Sequence, residues 1–170
     1  VRTFVWASRA LNVPLPFLYA LPEVPSGIAA VAAASPSVAL GPQVLSGRTV
    51  QQLAFLAGRH LTYYRAGHYP LVFFPTLSEL SGLVLSTVRL VIPGISVPPA
   101  AEESRVADRL GERLTPEQKK QLQEIVGRLD ARGGRLDLLS WIRSVELTAA
   151  RVGLLLAGDL RTASRMMKEE

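Results

Sequence analysis

The chain has 170 residues, a formal net charge of +5, 48% apolar and 19% charged residues, and no cysteine. That length and apolar content suit one domain over residues 1–170, burying roughly two thirds of the surface its unfolded chain exposes. The missing cysteines exclude disulfides, thiolate zinc sites, iron–sulfur clusters and cysteine nucleophiles, and suit a reducing compartment, so the expected location is the cytoplasm.

Val1 opens the chain without a basic and apolar leader or a cleavage site, which predicts a fragment of a longer protein. Phe4, Val5, Trp6, Ala7 and Leu11 predict a helix over residues 1–12. Residues 14–21 read as a short strand, and Pro14 and Pro16 put it at a sheet edge. Apolar runs over 28–33 and 38–41 around Ser35-Pro36-Ser37 predict a hairpin. The first third is therefore a small antiparallel sheet of at most three strands, and the next helix covers one face.

That helix is predicted over 51–69, ending near Gly67, with Leu53, Leu56, Ala57, Leu61 and Tyr64 turned to the core. Arg59 and Tyr63 are four residues apart and share a face, with His60 three residues from Tyr63, so a polar trio interrupts a mostly apolar helix. Residues 70–95 are the most apolar region. Pro75, Glu79, Arg89 and several hydroxyl residues break it below membrane-spanning length, so a buried helix over 76–91 is favoured over membrane association through 71–92. A charged helix over 101–113 follows. In it and the next helix, Arg105, Asp108, Arg109, Glu112 and Arg113, then Glu117, Lys119, Lys120 and Glu124, mix both signs as solvated faces do, so no nucleic-acid partner is expected. Thr115-Pro116-Glu117-Gln118 is a helix start with a capping box and proline in the first turn. Leu122, Ile125, Val126 and Leu129 are expected inward, and Gly133-Gly134 ends the helix. A longer helix runs from about Asp137 to Gly158-Asp159, followed by an amphipathic turn or helix carrying Leu160, Ala163, Met166 and Met167. Glu146 stands among small and apolar residues of the longer helix; buried there, it needs a partner, with Arg143, Arg151, Arg59, His60 and Tyr63 as candidates, and the plainer reading is a structural salt bridge or a side chain facing solvent.

These segments carry a resemblance. The stretch Arg59-His60-Leu61-Thr62-Tyr63-Tyr64-Arg65-Ala66-Gly67-His68 resembles the catalytic helix H-E-L-G-H-[IV]-K-x-G-H of gluzincin metallopeptidases of the CAAX prenyl protease and HtpX heat-shock type. The segments LNVPLPFLYALPE, SPSVALGPQVLSG and TVQQLAFLAGRHL are similar to the strands and approach that precede that helix, and VELTAARVGLLLAGD resembles E-x-x-A-D-R-x-G-L-x-x-x-G-D. An apolar insert separates the two helices, as in the family, and the likeness covers most of residues 11–165. It implies an α+β, zincin-like fold, a small antiparallel sheet against a mainly helical body. It also implies that the first zinc histidine falls on Arg59, the general-base glutamate on His60, the second zinc histidine on Tyr63 and the third ligand on Glu146. The family's aspartate four residues later falls on Ala150, and its non-ligand histidine beyond the helix on His68.

Those replacements remove the chemistry. A zinc hydrolase needs three protein ligands, an open position for water and a carboxylate base. Arg59 keeps its proton and cannot ligate, and the only other imidazole besides His60 is His68. No catalytic residue, metal or cofactor is therefore expected. Arg59, His60, Tyr63 and Glu146 read as the relic of a metal site, in which an Arg59–Glu146 pair replaces zinc as the link between two helices. No G-x-S-x-G elbow is present, Gly133-Gly134 lacks the lysine and spacing of a phosphate loop, and His68 beside Tyr69-Pro70 suits a helix end or the surface. The expected function is a non-catalytic pseudo-metallopeptidase domain acting as a scaffold or interaction module, its partner another protein or neighbouring domains of the same chain. The alternative is a hydrolase with a non-standard site built from His60, Tyr63 and Glu146.

Overall fold

Pro14 and Pro16 lead the chain into β1 (Phe17–Ala20), which lies at the edge of a three-stranded sheet ordered β1-β3-β2. The computed structural model describes residues 1–24, 27–31, 33, 35–92 and 102–169. β2 (Ile28–Val31) pairs antiparallel with β3 (Ser37–Leu40), the hairpin expected around the Ser-Pro-Ser turn. The expected antiparallel sheet is nonetheless mixed, because β1 pairs parallel with β3, Phe17 opposite Ser37 and Ala20 opposite Leu40. Every residue of the central strand is buried.

The described chain divides into two compact units. The first comprises Val1–Phe73 and Arg143–Glu170, the second Phe74–Ile142. In the first unit, α1 (Arg2–Leu11) packs on α3 (Val50–Thr62), and α3 packs on α9 (Leu160–Glu169). Its core gathers Phe4 and Ala7 of α1, Val38 and Leu40 of β3, Phe55, Leu56, Ala57 and Leu61 of α3, and Ala163 and Met166 of α9. The fold is thus α+β, a small mixed sheet packed against a mostly helical body. The short α2 (Pro42–Leu45) and α4 (Pro70–Phe73) flank α3 in sequence.

A capping box starts α3: the Thr49 side chain accepts from the Gln52 N–H, and the Thr49 N–H donates to Gln52 Oε1 at 2.8 Å. The helix stops at Thr62, short of the expected end near Gly67. Tyr63 and Tyr64 N–H groups bond to the His60 and Leu61 carbonyls at 3.1 and 3.0 Å, the tighter three-residue spacing that closes a helix end. α8 (Leu138–Ala157) crosses α3 where glycine faces glycine. A Cβ on Gly58 would lie 3.3 Å from Gly153 Cα and 3.2 Å from the Val152 carbonyl oxygen. Small residues let the two backbones approach at this depth.

In the second unit, α5 (Leu77–Arg89) begins with a Thr76–Glu79 capping box and packs on α6 (Glu102–Arg113), where Arg89 pairs with Asp108 at 2.9 Å. The expected buried helix is only half-buried: Leu80 and Ser86 are covered, whereas Leu77 and Leu85 are exposed. α7 (Pro116–Asp130) starts with the expected Thr115–Gln118 box and proline. It buries Val126 and half-buries Leu122 and Leu129, but Ile125 faces solvent, contrary to expectation. Among the described residues no helix is long and apolar enough to cross a membrane.

Candidate functional site

The last turn of α3 carries Arg59 and His60, and Tyr63 caps it. Their placement follows from the helix register: Leu56, Ala57 and Leu61 fix the buried face, leaving Arg59, His60 and Tyr63 only partly covered. Arg59 directs Nη1 at Met167 Sδ of α9, 3.5 Å away. Arg48, ahead of the helix, does the same to Met166 Sδ at 3.4 Å and also pairs with Glu169.

His60 is half-buried as a residue, yet its Nε2 is shut off from solvent and has no hydrogen-bond partner among the described residues. Desolvation lowers its pKa from 6.5 to about 4, so the ring is neutral at neutral pH. The imidazole begins a chain of rings: His60 to Tyr64 at 5.3 Å between centroids, Tyr64 to Tyr69 at 5.7 Å, and Tyr69 edge-on to Phe73 at 5.3 Å. Tyr64 is anchored by its buried hydroxyl, which donates to the Ser37 carbonyl of β3 at 2.8 Å. Burial, and then the neighbouring Tyr69, raise its pKa. His68 Nδ1 lies 3.0 Å from the Thr62 carbonyl, so the Nδ1–H closes the end of α3, the helix-end role expected of it.

Glu146 takes the solvent-facing position, not the pairing across two helices that the metal-site relic calls for. It is exposed on α8, and no ion pair joins it to Arg59. The reason lies in which face of α8 is buried. Val145, Ala149, Gly153 and Ala157 form its buried row at four-residue intervals. Glu146, about 100° round the helix from Val145, points out of that row. The structure therefore brings Arg59, His60 and Tyr63 together on one helix end and leaves Glu146 apart from the Arg59 pairing.

These residues do not fit a zinc ion. A guanidinium cannot ligate, the His60 Nε2 is sealed from solvent, His68 Nδ1 is committed to a backbone carbonyl, and Glu146 faces solvent. Among the described residues no group of three or more His, Asp or Glu is gathered closely enough to hold a metal. The arrangement can instead pack: sulfur and aromatic contacts tie the end of α3 to α9 and to the turn that follows it. The ring chain and the two arginine–methionine contacts escaped the sequence reading. The four-residue spacings of His60–Tyr64 and Tyr69–Phe73 were the local signals for the ring chain, whereas the arginine–methionine contacts join segments over a hundred positions apart and left none. No protein-family model, no curated protein and no solved structure matches the chain.

Proposed function

We propose that this chain is a non-catalytic domain of metallopeptidase-like build, serving as a scaffold or protein-interaction module. The observation that carries the reading is the state of His60. At the position where the resemblance calls for a carboxylate base, a neutral imidazole is packed against Tyr64 with Nε2 sealed from solvent. Such a group can neither take a proton from water nor meet a substrate. Arg59, at the position of a zinc ligand, supports the same reading, because its charge repels a cation. A hydrolase built from His60, Tyr63 and Glu146 would need the imidazole nitrogen accessible, and its burial speaks against that alternative.

Metal content and hydrolysis measured on one purified preparation test the reading. The expected result is zinc far below one equivalent after dialysis and no cleavage of casein or a peptide library above buffer. Stoichiometric zinc that disappears in Glu146→Gln, together with cleavage that disappears with it, would overturn the proposal.

A further inference from the structure

The outward faces of α8 and α9 carry a run of exposed cations. On α8, Arg143, Leu147, Arg151 and Leu155 follow one another at four-residue intervals and all are exposed, forming one ridge of alternating cation and leucine. On α9, Arg161, Arg165 and Lys168 recur at spacings of four and three on the exposed side, opposite the buried Ala163 and Met166. No salt bridge among the described residues involves any of these five cations. Of the nearby acids, Asp159 accepts from the Arg161 and Thr162 N–H groups at the start of α9 and its charge also acts on Arg161, Glu169 pairs with Arg48, and the exposed Glu146, three residues from Arg143, forms no salt bridge with it.

Among these charges stand Leu147, Leu155 and Leu160, exposed at 55%, 80% and 69%. The exposure of any one leucine is unremarkable. Their place among exposed cations is the informative feature.

Resting on the interaction-module reading above, we propose that this face of α8 and α9 docks an acidic amphipathic helix of a partner protein, with carboxylates matched to the arginines and apolar residues seated between the leucines. Charge complementarity selects the occupant: Arg143, Arg151, Arg165 and Lys168 form no salt bridge among the described residues, and such a face calls for an acidic partner. Interleaving selects a helix over an anionic bilayer. A helix lying in a lipid interface separates its apolar face from its charged face, whereas here cation and leucine alternate along one ridge and the opposite side of α8 is buried. Ridge-into-groove packing against a second helix accommodates that alternation.

The probe is a labelled peptide of about 20 residues, long enough to hold a helix on binding, with Glu and Leu alternating at one-turn spacing on one face. A scrambled peptide of the same composition and vesicles containing phosphatidylserine are run alongside. Binding to the full chain is read by fluorescence anisotropy, and vesicle binding by co-sedimentation. Arg151→Glu combined with Arg165→Glu, and separately Leu155→Ser, should each weaken the patterned peptide about tenfold or more, with circular dichroism unchanged. Equal affinity for the patterned and scrambled peptides, no peptide binding, unchanged affinity in the variants, or arginine-dependent capture by vesicles in place of the peptide would each overturn the proposal. Zinc content and hydrolysis of the same preparation are independent readouts, so loss of the docking proposal leaves the non-catalytic reading standing, and the reverse holds.

Discussion

His60 is the residue whose environment departs furthest from its ordinary chemistry. The unfolded chain binds its proton near pH 6.5 and the folded chain near 4. Between those values the unfolded state holds more protons, so stability falls as pH drops through the window and the loss levels off below about pH 4. The contribution is on the order of 2 kcal/mol by about pH 4.5. Glu79 and Asp159, whose pKa values are lowered chiefly by hydrogen bonds from Thr76 and Thr162, also lose stabilisation on acidification. Urea unfolding of wild type and His60→Leu across pH 4 to 7 separates the terms: the variant should show the shallower dependence by about that amount. At pH 7 it should be as stable as wild type or more so, by up to about 1–2 kcal/mol, because it removes a buried nitrogen without a partner. An unchanged pH profile would show that the ring is not desolvated. Tyr64→Phe probes the other end of the contact. Losing the buried bond to the Ser37 carbonyl should cost about 1–2 kcal/mol, read from the urea midpoint at neutral pH.

The crossing of α3 and α8 is where two elements depend on one atom. A Cβ at Gly153 would meet two carbons of the Phe55 ring at 2.9 Å and the Phe55 carbonyl oxygen at 3.0 Å, and that ring is fully buried. Gly153→Ala should destabilise by about 1–3 kcal/mol, outweighing the gain in helix propensity. Gly127 is the counter-case: it sits inside α7 with nothing within 4 Å of the added atom. Gly127→Ala should stabilise by about 0.5–1 kcal/mol. Thermal melts of both variants test the pair, and the same sign for both would remove the close-crossing argument. Helix starts were the part most legible in the sequence. Thr49, Thr76 and Thr115 each form a reciprocal capping box with the Gln or Glu three residues on, because that interaction is local.

For the whole molecule, the reading of Arg59 and His60 predicts indifference to metal. Zinc at micromolar concentration and chelation with EDTA should both leave the melting temperature within about 1 °C of the untreated protein, because a ligand that does not bind the native state cannot stabilise it. A zinc-dependent rise of several degrees, abolished by Glu146→Gln, would show a site that these side chains do not provide. The charge on α8 and α9 is a property at this level too, since only the packing of α9 by Ala163 and Met166 turns Arg161, Arg165 and Lys168 outward together.

Local chemistry in the chain was enough to set the helix starts, the proline-marked edge strand, the Ser-Pro-Ser hairpin and the helix end at Gly158, whose positive φ suits glycine. It was also enough to show that Arg59 cannot ligate a metal, since that follows from a guanidinium wherever it sits. Tertiary structure decided the rest. The parallel pairing of β1 with β3, the early end of α3 and the solvent exposure of Glu146 each depend on where distant segments meet. Spacing by sevens puts Glu146 in register with Gly153, but the buried row of α8 runs through Val145, Ala149, Gly153 and Ala157 and leaves the carboxylate in solvent.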